Sequence, residues 1–135
     1  PVMDAWPLST GEALHTQTFL GHPPGCAAAL ASLQVLEEEG LVRHAGVTGE
    51  ATLALLRSRL AKRPGVIEVR GLGLMLGIEL ASTRLAAAVC EGALRAGLIV
   101  LPSGEDDRVL SITPPLCIRH DTLAWAAERL AELLP

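Results

Sequence analysis

"VIEVRGLGLMLGIEL", residues 66–80, decides the fold. Within it Leu74, Leu76, Ile78 and Leu80 alternate with Met75, Gly77 and Glu79, the period of two that puts every second side chain on one face of a strand. Its glycines invite a dinucleotide-binding reading. The spacing, however, is G-x-G-x-x-x-G, and the residues that follow alternate instead of opening a helix. That reading is rejected, and Gly71 and Gly73 are expected to make a tight turn or bulge between strands.

Helical patterns flank this stretch on both sides. Upstream, Cys26, Leu30, Leu33 and Leu36 recur at helical spacing from Pro23, with proline tolerated in a first turn whose N–H groups have no partner. Gly40 stops this helix if it takes the left-handed conformation after the cap. Val42, Ala45, Leu53, Leu56 and Leu60 form a second stripe, which "KRPG" ends because Arg63 precedes a proline. Downstream, Ser82 or Thr83 can cap a helix through Ala86, Val89, Cys90 and Leu94 to Gly97. "LIVLP" reads as a short strand, "SGEDD" as a turn and "RVLSITPP" as a further strand. Asp121 is expected to cap a last helix that turns Leu123, Ala126, Leu130 and Leu133 or Leu134 inward. Helix, helix, strands, helix, strands, helix favours a small α/β or α+β layer, a sheet of three or four strands with helices over one face.

Composition narrows the function classes. The chain has 135 residues, half of them apolar, and a net charge of −4, which suits one folded domain with a real core. Ten arginines and the single lysine, Lys62, are scattered, so no basic stripe offers itself to nucleic acid or to an anionic membrane. No apolar run reaches the ~18 residues of a membrane span, and no secretion signal opens the chain. Cys26, Cys90 and Cys117 are expected to be reduced thiols packed as small core residues, in a cytoplasmic protein. The opening "PVMDAW" lacks an initiator methionine, consistent with a processed or excised piece.

His15, His22 and Cys26 lack the further ligands of a metal site. No Gly-x-Ser-x-Gly elbow is present, and Lys62, beside Arg63 and Pro64, should be solvated. No catalytic nucleophile is therefore assigned. "HTQTFLGHPPG" differs: Thr16, Gln17 and Thr18 offer hydroxyl and N–H donors, Gly21 lets backbone approach a ligand, and a helix N-terminus follows near Pro23. These are the parts of an anion cradle, and equally those of a capped loop before a core helix.

"GEALHTQTFLGHPPGCAAALASLQVLEEEGL" resembles the T-[FY]-x-G-[NH]-P segment of class III pyridoxal-phosphate aminotransferases, the ornithine, acetylornithine and 4-aminobutyrate type. "VRGLGLMLGIEL", "AGLIVLPSG" and "SITPPLCI" resemble its later blocks in the same order. The resemblance implies the C-terminal part of a fold-type-I enzyme. Residues 1–22 would be the interface and cofactor-phosphate loop from the end of the large domain, and residues 23–135 the linking helix and C-terminal small domain. It further implies a homodimer with its active sites at the subunit interface, moving an amino group between an amine or amino acid and a keto acid. In such enzymes the threonine matching Thr18 bonds the pyridoxal phosphate of the neighbouring subunit, aided by backbone at Gln17, while Phe19 lines the site.

Two departures accompany the resemblance. The Schiff-base lysine of these enzymes lies upstream of the threonine, and no lysine precedes Thr18 here, so the chain by itself is expected to be inactive. Where many members that act on α-amino acids carry a carboxylate-pairing arginine, this chain has Ser111, placed as a substrate-binding position; Arg108 lies three residues earlier, an offset that would point it to the other face of the strand. The departure favours an amine, an ω-amino acid, or carboxylate capture by another residue. An aminomutase or racemase of the same fold is a sibling alternative, and a non-enzymatic dimerisation or binding domain is the alternative of another class.

Overall fold

The computed structural model describes residues 18–135. In order these form α1 (Pro23–Glu38), α2 (Leu41–Leu60), β1 (Val66–Leu72), β2 (Met75–Leu80), α3 (Thr83–Arg95), β3 (Leu101–Ser103), β4 (Val109–Ile112) and α4 (His120–Leu133). The chain divides into two units, Pro1–Val35 and Leu36–Pro135.

Residues 66–80 fold as a hairpin. Leu72 stands opposite Met75, which leaves Gly73 and Leu74 as a two-residue turn. Gly73 takes φ +54° there, the left-handed backbone that such turns demand and glycine supplies without strain. Leu74, Leu76, Ile78 and Leu80 are all buried, and Met75 is exposed, as the alternation requires. A strand, not a helix, follows the glycines.

The sheet has four strands in the order β1-β2-β4-β3, every pairing antiparallel. Pro102 sits in the edge strand β3, where a missing N–H costs no central ladder bond. Helices α2 and α3 pack on the sheet, and α4 packs against both helices. Leu56 and Leu60 from α2, Ala86 and Val89 from α3, and Leu130 from α4 meet Ile78, Leu80 and Leu110 of the sheet. This is the α/β layer with helices over one face that the element order implies.

Several boundaries follow from single residues. Gly40, between α1 and α2, has φ +61°. Ser82 caps α3, its Oγ accepting the Leu85 N–H at 3.2 Å. Beyond Arg63 and Pro64, Gly65 at φ +82° turns the chain into β1.

Other expectations are corrected. None of the residues of α1 is buried, so Cys26, Leu30 and Leu33 are exposed rather than packed as a core stripe. Cys117 is also exposed, in the segment that leads to α4, and Cys90 is half-buried; all three thiols are free. Val42 and Leu94 are exposed too. On α2 the buried stripe runs instead through Ala45, Thr48, Gly49, Thr52, Leu56 and Leu60. Threonine is tolerated there because the Thr52 hydroxyl donates to the Thr48 carbonyl at 2.7 Å. "LIVLP" pairs only from Leu101. The cap position of α4 is Arg119, and Asp121 lies inside the first turn, where it accepts the Thr122 N–H at 2.8 Å. Arg108 precedes β4 rather than lying in it: its carbonyl accepts the Leu80 N–H at 2.9 Å and its side chain pairs with Asp106 at 3.1 Å.

Candidate functional site

Thr18, Phe19 and Leu20 form an exposed turn. The His22 N–H donates to the Phe19 carbonyl at 3.1 Å, which closes the turn, and Gly21 takes φ +69° with open space where a Cβ would stand. The ring of Phe19 is tilted against that of His22, 5.8 Å between centroids. Helix α1 starts immediately afterwards, as the cradle reading requires, yet its first turn has little to give an anion. Pro23 and Pro24 have no N–H, and that of Cys26 is spent on the His22 carbonyl at 2.9 Å. Gly25 is the remaining backbone donor of the four. Gln17 lies outside the described residues.

Ser111 belongs to the second unit. It stands in β4, with Gly77 of β2 as its partner on one side and Leu101 of β3 on the other. Gly77 pairs in turn with Arg70, so Arg70, Gly77, Ser111 and Leu101 form one row across the sheet face opposite the helices. Ser111 lines a groove of about 410 Å3 whose walls include Leu98, Ile99, Leu101, Ile112 and Ile118. A second hollow of about 550 Å3 opens beside it among Val42, Ala45, Leu72, Met75 and Leu116. Thr113 and Pro114 line both, so the "TPP" block is the wall between them.

The row has an electrostatic neighbour that sequence reading missed. Glu68 and Glu79 are directly opposite in the β1–β2 register, a like-charge pairing that disfavours the ladder. Arg70 resolves it by donating from Nη1 to Glu68 at 2.7 Å and to Glu79 at 2.6 Å. The bond to Glu79, then that to Glu68, raises the Arg70 pKa above its already high ordinary value. Register could have revealed this: once the turn is fixed at Gly73 and Leu74, the positions opposite each other follow. Also missed was His44 of α2, whose Nε2 bonds the Ile118 carbonyl at 2.9 Å and ties the segment before α4 to the start of α2. A single histidine 74 positions away leaves no local pattern to read.

No helix among the described residues is long and apolar enough to cross a membrane. Among the same residues no cluster of His, Cys, Asp or Glu could hold a metal ion.

A family profile described as aminotransferase class-III matches residues 1–134. This chain belongs to the class III aminotransferase family. Among curated relatives, the class III chain is 46% identical over 104 residues to acetylornithine aminotransferase 1 of Bordetella pertussis, covering 77% of this chain and 25% of that protein. To the ornithine aminotransferase of Bacillus cereus it is 38% identical over 120 residues, covering 89% of this chain and 29% of the relative. The chain thus spans between a quarter and a third of the curated relatives it matches. Among solved structures it resembles the ornithine aminotransferase of Toxoplasma gondii, in which pyridoxal phosphate partly occupies the active site. The TM-score is 0.79 at 30% identity, covering 88% of this chain and 28% of that one. The four-stranded layer is therefore a transaminase fold element, carried here by a class III sequence.

Proposed function

We propose that this chain is the C-terminal part of a pyridoxal-phosphate-dependent aminotransferase that moves an amino group between an amine or amino acid and a keto acid. The observation that carries this is the class III match across residues 1–134, joined to the exposed turn of Thr18 immediately ahead of α1. The relatives named are aminotransferases, which supports amino transfer over a racemase, an aminomutase or a binding domain without chemistry. In this reading the protein is a homodimer, and residues 1–22 reach the active site of the neighbouring subunit.

The residues present fit a phosphate group in a limited way. The Thr18 hydroxyl is solvent-accessible and can donate a charge-assisted hydrogen bond to a phosphate oxygen. Backbone at Gln17 would add a donor, and Phe19 would cover the same site. Because the prolines leave Gly25 as the free backbone donor in the first turn of α1, the hydroxyl carries more of the anchoring than it would beside a full helix N-terminus. Pyridoxal phosphate, when bound, supplies the electron sink that lets an amino group leave one carbon for another. The chain's part is to fix that group's position and to shape the substrate's surroundings through Ser111. Lys62, the single lysine, is exposed just beyond α2, and the chain by itself is expected to be inactive.

The test is Thr18→Ala in the longer polypeptide that contains this chain. Cofactor affinity should fall by about 1–3 kcal/mol, followed by absorbance during dialysis, while Thr18→Ser should hold it. Unchanged retention would remove Thr18 from the phosphate site, and absence of amino transfer from every donor would remove the aminotransferase function.

A further inference from the structure

We infer that the groove beside Ser111 receives an uncharged, apolar part of the substrate and discriminates against carboxylates. This rests on the aminotransferase function proposed above and narrows its donors to amines whose non-reacting portion is hydrocarbon.

The groove's volume, about 410 Å3, lies within the range that holds a small organic ligand. Among the described residues its lining holds no Arg, Lys or His; the side-chain hydrogen-bonding groups there are the hydroxyls of Ser111 and Thr113. Ile99 and Leu101 present hydrocarbon to the groove, which an apolar ligand group can cover. A carboxylate placed against these walls would lose water and meet no cation among them.

Arg70 and Arg108, which line one hollow with Glu79 and Asp106, are already taken. Arg70, in the same row across Gly77, is held by Glu68 and Glu79. Arg108 is paired with Asp106. Recruiting Arg70 would leave Glu68 facing Glu79 unbridged, so a substrate carboxylate would gain one ion pair by breaking two.

Two measurements test this. The first is methyl-resolved NMR of the 135-residue chain, with pentan-1-ol and pentanoate as probes. Pentan-1-ol should shift the Ile99, Ile112 and Ile118 methyls, pentanoate should do so about tenfold less at equal concentration, and Ser111→Arg should reverse the order. Ser111→Val, which keeps the groove apolar, should bind pentan-1-ol at least as well as the parent. Equal or stronger shifts with pentanoate in the parent chain overturn the inference.

The second compares donors in the longer polypeptide: pentylamine against 6-aminohexanoate and norleucine, each of which is pentylamine plus one carboxylate. A kcat/KM for pentylamine about tenfold above both is expected, with Ser111→Arg narrowing the gap. Transfer from either carboxylated donor as fast as from pentylamine overturns the groove's role and leaves aminotransferase function standing. Binding of pentan-1-ol without transfer from any donor does the reverse.

Discussion

Gly49 of α2 and Gly73 of the β1–β2 turn meet backbone to backbone: a Cβ on Gly49 would lie 2.1 Å from the Gly73 carbonyl oxygen. No side chain fits between them, so the helix rests directly on the turn. From the side of the turn, a Cβ on Gly73 would stand 3.6 Å from the Ala45 carbonyl oxygen, one helical turn earlier on α2.

Gly49→Ala is expected to destabilise the chain by about 2–3 kcal/mol, the cost of overpacking a site that cannot relax. Elsewhere in a helix the same change gains about 1 kcal/mol from propensity. Urea denaturation distinguishes the two signs. A rise in midpoint would mean that α2 does not sit on the turn as described.

Arg70→Gln should expose the opposition of Glu68 and Glu79. The Arg70 side chain is 43% exposed and Glu68 56%, so water screens the cluster and the expected loss is only about 1 kcal/mol. Because that loss is repulsion, 0.5 M NaCl should recover part of it, and Glu68→Gln combined with Arg70→Gln should cost less than Arg70→Gln alone. A salt-independent loss would point to packing of the arginine stem instead.

Asp121 carries a pH dependence of determined sign. Its pKa is lowered chiefly by the hydrogen bond from Arg119, whose Nε donates to its Oδ1 at 3.1 Å. A folded-state pKa below the unfolded value stabilises above the unfolded pKa, and the stabilisation is lost as pH falls through the folded one. Asp121→Asn should therefore lower Tm slightly at pH 7, and the gap from the parent should close as pH drops below the ordinary aspartate range. A gap that widened in acid would contradict the pairing.

How far the sequence led depends on which signal each residue leaves. Leu74, Leu76, Ile78 and Leu80 announced a one-sided strand because period two is local, and the glycines before them announced the turn. Ser82 and Gly40 were legible as punctuation for the same reason. Leu30 and Leu33 were misread: spacing marks an apolar stripe but carries no statement of what covers it. Thr48 and Thr52 were passed over because hydroxyls count as polar until their partner is known, and the partner of Thr52 is a carbonyl of the same helix. Asp121 was taken for a cap because aspartate suits that position, yet the chain enters the helix two residues earlier, at Arg119. For the site, the Thr18 turn was readable as a donor-rich loop before a helix. The scarcity of donors in its first turn was already written in Pro23 and Pro24. The groove at Ser111 was not, since its walls come from three separate stretches of chain.

The strand order β1-β2-β4-β3 joins two local hairpins, residues 66–80 and 101–112, through one long-range ladder between β2 and β4. Each hairpin closes a short loop, which takes microseconds and little chain entropy. The β2–β4 seam instead joins strands separated in sequence by α3 and β3, so closing it costs more chain entropy than closing either hairpin. Ile78 and Leu110, partners across that seam and both fully buried, are the joint that makes one sheet of two hairpins.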